Sequence, residues 1–168
     1  MTDFSQFLEK LLSNPSTNTI LEINGNSKQI KAFIHLTTKN YLNDGGDYYK
    51  IIFNDSSFML IMPNDKELYY ADKLIGEIEE IKDSDIGNLE TIQYNNKTYK
   101  LGNKDDYQFV LQLLVGNPLE IEGECRFSDY FPDTGPKEFL SLGWLIRTGE
   151  RADINCQIID ISKINLIK

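Results

Sequence analysis

The chain is poor in the residues that catalytic and metal centres most often draw on: its 168 residues include one histidine, two cysteines and one tryptophan. Metal sites and acid–base pairs usually recruit several such groups, so the lone His35 reads as a surface histidine. Alternation puts it on the same strand face as Lys31 and Phe33. Basic residues are scarce too, with 17 Lys and Arg against 26 Asp and Glu, a net charge of −9 and a pI near 4.6. That balance argues against nucleic acid and against an anionic membrane surface, because both are bound by a basic face. No uninterrupted apolar run approaches the ~18 residues of a membrane span. The opening MTDFSQFLEK has neither the basic nor the apolar region of a secretory signal. A cytoplasmic location is expected, with Cys125 and Cys156 as buried free thiols.

What is present is mostly strand. A length of 168 residues suits a single domain, 1–168, that buries roughly 70% of the surface of its unfolded chain. Residues 3–13 form the one clear amphipathic helix: Phe4, Phe7, Leu8, Leu11 and Leu12 share a face, Asp3 is placed to cap the start, and Asn14-Pro15 ends it. From 19 to 164 the pattern is β. Ile20–Ile23 and the alternating Ile30, Ala32, Ile34 and Leu36 flank an Asn24-Gly25 turn, and DYYKIIF and SFMLIM flank Asn54-Asp55. This second hairpin is apolar on both faces and so central in its sheet. ELYYA adds a strand, and TIQY and TYKL flank Asn95-Asn96. Residues 107–115 alternate as a strand, although Val110 and Leu114 also permit a helix; 119–127 and 140–146 are further strands, and the one beginning at Ile154 is the last. Residues 74–90 lean towards helix on the spacing of Leu74, Ile75, Ile78 and Ile81. The expected fold is mainly β with an N-terminal helix, an antiparallel sandwich or barrel-like sheet.

No catalytic residue stands out: there is no nucleophile with a base beside it, no phosphate-cradling loop and no metal-ligand spacing. Glu120, Glu122 and Glu124 are the only metal candidates, yet a strand spreads carboxylates along a line, and a solvated face that discourages edge pairing explains them better. Alternation sets Leu119, Ile121, Gly123, Cys125 and Phe127 opposite these glutamates. Trp144 shares a face with Leu140, Leu142 and Ile146 and is expected in the main core. The pairs Tyr48-Tyr49 and Tyr69-Tyr70 should each turn one ring outward. The segment DYFPDTGP, with Asp129, Tyr130, Phe131 and Asp133, mixes aromatics with acids as protein-binding surfaces do.

The order of DYYKIIFNDSSFMLIM, IQYNNKTYKL, LEIEGECRFSDYF, FLSLGW and DINCQIIDISKI resembles an uncharacterised bacterial family of a domain of unknown function, related to YjfK-like proteins. The matching motifs are Tyr49 to Met62, Tyr94 to Leu101, Glu122 to Tyr130 and Leu140 to Trp144, within residues 30 to 164. The resemblance implies no catalytic residues and no cofactor. It implies a role in membrane or envelope stress through contact with a phage-shock-type membrane-associated protein. A non-enzymatic accessory protein is therefore the first expectation. An acidic inhibitor or immunity-type protein that neutralises a basic toxin is the second, and a metal-binding enzyme on the glutamate row is the third. The row tests itself: adding Ca²⁺ or Mg²⁺ is expected to leave the melting temperature unchanged, both in the parent and after Glu120, Glu122 and Glu124 are replaced together by Gln. A metal-dependent rise confined to the parent would restore the third reading.

Overall fold

In the computed structural model, the described residues are 3–40, 46–117, 124–135 and 137–167. Helix α1, Phe4–Ser13, starts where Asp3 Oδ1 accepts a 2.8 Å hydrogen bond from the Gln6 N–H, and ends two residues before Pro15. Eleven strands follow: β1 Ile20–Ile23, β2 Asn26–Thr38, β3 Asp47–Phe53, β4 Phe58–Met62, β5 Glu67–Ala71, β6 Thr91–Tyr94, β7 Lys97–Val115, β8 Cys125–Pro132, β9 Glu138–Leu145, β10 Ile154–Ile159 and β11 Ile164–Leu166. Every pairing is antiparallel. The strands run β2-β3-β4-β5-β10-β9-β8-β7, and β7 pairs back onto β2, which closes an eight-stranded barrel. β1 and β11 extend the sheet beside the first half of β2, and β6 does so beside the first residues of β7.

Short-range signals explain the hairpins. Asn24-Gly25 and Asn95-Asn96 all take positive φ, between 50° and 82°, as two-residue hairpin turns demand, and asparagine tolerates that region better than other side chains. The fold is thus the barrel-like alternative, with three differences from the sequence reading. TYKL and 107–115 are parts of one 19-residue strand, because the polar stretch from Gly102 to Asp106 bulges within the ladder to β8 instead of turning back. β11 follows the strand at Ile154 and pairs with β1. Residues 74–90 form no α-helix.

That last segment crosses the outside of the barrel with a single 3₁₀ turn at Asp83–Asp85. Its main chain is fastened by a buried ion pair. Asp153 accepts from the Ile78 N–H at 3.0 Å and the Gly143 N–H at 3.3 Å, and its Oδ2 lies 2.5 Å from Arg151 Nη2. Arg151 Nη1 also donates to the Ile81 carbonyl at 3.0 Å and to Asp83 at 2.9 Å. An amide that Asp153 accepts from has no need of a helical partner, so the isoleucine spacing is spent on packing: Ile78, Ile81 and Ile86 cover Tyr130, Leu140 and Leu142.

The barrel wall is therefore buried on both faces over much of its area. Outside, α1 lays Phe7 and Leu11 on Ile51, Phe53, Met59, Ile61 and Leu68. Inside, Ala32, Ile34, Leu36, Tyr48, Phe58, Leu60, Tyr69, Ala71, Phe139 and Cys156 pack together. On β9 the Leu140 and Leu142 face is the outer one, and Phe139, Ser141, Gly143 and Leu145 face the lumen. Trp144 corrects the sequence reading: it is half-buried at the edge of the outer cluster under the Arg126 guanidinium, 5.8 Å from the ring, and Ile146 is exposed, because the 74–90 cover does not extend that far.

Two substitutions test this account. Arg151→Ala leaves Asp153 buried and unpaired and is expected to cost about 3–5 kcal/mol in urea unfolding. At Gly143 an added Cβ would stand 2.0 Å from the Arg126 carbonyl oxygen, with β8 backbone as the obstacle. Gly143→Ala is expected to cost about 3 kcal/mol, whereas Gly135→Ala, where a Cβ meets open space but φ is positive, should cost about 1 kcal/mol. Equal losses at the two glycines would contradict the close approach of β8 and β9.

Candidate functional site

An eight-stranded barrel is just wide enough either to be filled by its own side chains or to hold one small ligand. Here one end of the lumen is filled and the rest is not. Ala32, Ile34, Phe58 and Ala71 pack tightly, while a cavity of about 280 Å³ remains that receives at least one residue from each of the eight strands. Its apolar lining includes Leu60, Met62, Phe127 and Phe139. Tyr69 meets the Phe139 ring edge-on at 5.0 Å, and the Phe131 ring lies 6.2 Å from Phe139, so three aromatic rings cluster at Phe139. Phe131 sits where β7 has Gly102: a Cβ there would stand 2.5 Å from the ring, so the glycine makes room for it.

The polar groups of the lumen are fewer and unevenly satisfied. The Tyr48 hydroxyl hydrogen-bonds Gln108. Lys137 Nζ lies 2.6 Å from Glu67 Oε2 in the β8–β9 and β4–β5 end of the barrel, near Asp65. Lys50 Nζ sits 4.5 Å over the Phe58 ring. Asp129 Oδ2 accepts from Asn103 Nδ2 at 3.1 Å, and the same amide nitrogen reaches Asp106 Oδ2 at 2.9 Å. Asp106 is wholly buried and also accepts from the N–H groups of Asn40 and Tyr107. By contrast, Asp129 Oδ1 and Thr38 Oγ1 are buried with no hydrogen-bond partner among the described residues, and both belong to residues that line the cavity. Unsatisfied buried polar atoms are rare in folded proteins and call for an explanation.

Burial pushes the Asp129 carboxyl up to about 6, and the Asp106 carboxylate adds to the rise; Asn103 and a nearby Ser141 hydroxyl, which makes no hydrogen bond of good geometry to Oδ1, act against it. Burial likewise raises the Cys156 thiol, so this cysteine is a poor nucleophile at neutral pH. Cys125 and Cys156 both belong to the lumen side of the wall.

The residues singled out from sequence separate in space. Alternation along β8 sends Asp129 and Phe131 to the lumen side and Tyr130 to the outside. Tyr130 is fully buried beneath the 74–90 segment, where its hydroxyl donates to the Leu89 carbonyl at 2.8 Å and accepts from the Gly87 N–H at 3.1 Å. It presents nothing to a partner, which corrects that part of the expected binding surface. Asp129 is turned inward. Phe131, 40% exposed, and Asp133, 3.8 Å from Lys100, are the two that reach solvent. Glu120 and Glu122 lie outside the described residues, and Glu124 accepts from the Tyr107 hydroxyl at 3.0 Å. Among the described residues no group of three or more His, Cys, Asp or Glu is placed to hold a metal. His35 is half-buried and stacked on Tyr49, 4.6 Å between ring centres, with Asp47 3.2 Å from Nε2.

Sequence reasoning missed Thr38, Lys50, Gln108 and Ser141. Each carries a polar side chain at an inward position of a strand, and that anomaly is visible only once the inward face is known. Comparisons with protein-family models, with curated proteins and with solved structures give no match. The motifs of the resemblance fall on the β3–β4 hairpin, the β6–β7 hairpin, β8 and β9.

The buried carboxyl has a measurable consequence. Its folded value, about 6, lies above the ordinary 3.8, so the folded chain binds this proton more tightly than the unfolded chain. The contribution of Asp129 to stability is therefore most favourable below pH ~4 and is lost as pH rises through 6. Asp129→Asn is expected to stabilise the protein at pH 8 by up to about 3 kcal/mol relative to the parent, and the gain should shrink towards pH 4. Urea unfolding of both proteins at the two pH values measures the difference; a constant or reversed gain would contradict the burial of this carboxylate.

Proposed function

We propose that this chain binds a small molecule in the lumen of its barrel. The observation that carries the reading is the pair of unpartnered buried oxygens, Asp129 Oδ1 and Thr38 Oγ1, on the wall of a cavity that all eight strands line. A barrel selected for stability alone would fill this space with side chains and would not keep an aspartate there, since a buried carboxylate lowers stability at neutral pH. The volume lies just under the roughly 300–1,000 Å³ usual for small-molecule sites, and a mostly apolar lining with a few convergent polar groups is the usual composition.

A second reading keeps the expectation drawn from sequence, an accessory protein that acts through a protein partner, whether a membrane-associated stress protein or a basic toxin. It is supported by the exposed Phe131 and Asp133 and by the net charge of −9, which would steer a basic partner.

N-phenyl-1-naphthylamine, a neutral dye that brightens in apolar surroundings, tests the first reading. Saturable binding at one site per chain is expected, lost in Ser141→Trp, which fills the lumen, and retained in Leu111→Trp, whose parent side chain is exposed on β7. Circular dichroism confirms that both variants fold. Dye binding that survives Ser141→Trp, or no saturable binding at all, would remove the lumen as the site.

A further inference from the structure

Resting on the lumen as the binding site, we infer that its ligand is a compact aromatic amine whose ammonium group is seated on Asp129. An ionised carboxylate accepts hydrogen bonds and donates none, so whatever completes Asp129 Oδ1 must be a donor. Three considerations make that donor a cation. First, among the described residues the lumen holds three carboxylates, Asp65, Glu67 and Asp129, against two ammonium groups, Lys50 and Lys137. Lys137 is engaged by Glu67, and among the described residues neither Asp65 nor Asp129 has an ion-pair partner. Second, Asp106 lies behind Asp129, outside the cavity lining but joined to it through Asn103, and its charge acts on Asp129, so one positive charge seated on Asp129 would relieve both. Third, the molecule as a whole is acidic, which raises the local concentration of cations at its surface.

Among the described residues, Lys50 is the lumen ammonium group that makes no ion pair with a carboxylate. Its Nζ is occupied by the Phe58 ring, and although Lys50 and Asp129 both act on the Cys156 thiol across the lumen, no ion pair joins them among the described residues. The remaining titratable groups on the lumen side, Cys125, Cys156, Tyr48 and Tyr69, carry no positive charge. The body of the ligand follows from the lining. Tyr69, Phe139 and Phe131 form the aromatic cluster described above, and rings of this kind attract both an aromatic body and an ammonium group beside it. About 280 Å³ equals some nine waters at roughly 30 Å³ each, room for a single-ring molecule with a short side chain.

Four probes of nearly one shape separate the possibilities by calorimetry at pH 8: phenethylamine, 2-phenylethanol, 3-phenylpropionate and ethylbenzene. Phenethylamine is expected to bind one per chain and at least about tenfold more tightly than the other three, as a charge-assisted hydrogen bond would give. Asp129→Asn should remove most of that preference while leaving 2-phenylethanol close to its parent affinity. The ranking in the parent protein stands without any variant, so a failure of Asp129→Asn to fold does not shield the inference. If 2-phenylethanol or 3-phenylpropionate binds as well as the amine, or if Asp129→Asn keeps the full preference, the amine class is wrong while the lumen site stands. If none of the four binds but the naphthylamine dye does, the inference again falls alone. If neither the probes nor the dye bind, the lumen reading falls with it.

Discussion

The pairing of β7 with β2 is the constraint on which the rest of this structure depends. Without it the strands would form an open sheet with two long edges, which expose unpaired backbone groups and invite aggregation. Closure asks both strands to curve around the axis while also serving neighbours beyond it: β2 carries β1 on its first residues, and β7 carries β6. The extra residue Lys31 on β2, and the extra residues Leu111 and Leu114 and those around Asn103 on β7, provide that curvature, since a bulge bends a strand and increases its twist. Strand length and bulge position are thus linked to the existence of a lumen.

Closure also decides which residues count as interior. A sandwich has one core between two sheets, whereas this barrel has apolar packing inside and, separately, beneath α1 and beneath the 74–90 segment. The two outer covers relieve the lumen of the task of supplying the whole core. Tyr99 and Tyr130, both fully buried, belong to the outer cluster and are satisfied there, Tyr99 by Glu138 and Tyr130 by the 85–89 main chain. With so much apolar area buried outside, the wall tolerates polar side chains on its inner face.

Those inner polar groups are the part of the structure that stability does not explain. The Arg151–Asp153 pair is buried as well, but each partner is fully engaged and the pair holds a chain segment in place. Asp129 is engaged on one oxygen only, next to a second carboxylate, in a cavity lined by aromatic rings. A group that lowers stability and completes no internal network marks a site prepared for something else. Thr38 Oγ1 is a second unpartnered oxygen on the same cavity wall.

Local chemistry made much of this fold legible in the sequence. The helix over 3–13 follows from its apolar period and its Asp cap, and the hairpins at Asn24-Gly25, Asn54-Asp55 and Asn95-Asn96 follow from turn residues between alternating runs, because those signals act over a few residues. The 74–90 segment was not legible, since the partner that competes with helix formation, Asp153, is more than sixty residues away in sequence. Nor was Trp144: alternation placed it correctly with Leu140 and Leu142, but how deeply it is buried depends on how far a distant segment reaches. The candidate site was the least visible of all. Period-two alternation separates the two faces of β8 and so parts Asp129 from Tyr130, yet it does not say which face is the lumen when both are apolar in places. The sequence by itself determined the strands, the turns and the acidic charge, whose causes are local or additive; only the tertiary structure decided that β7 meets β2, that Asp129 and Thr38 line one cavity, and that Tyr130 is sealed outside it, because each depends on contacts between residues far apart along the chain.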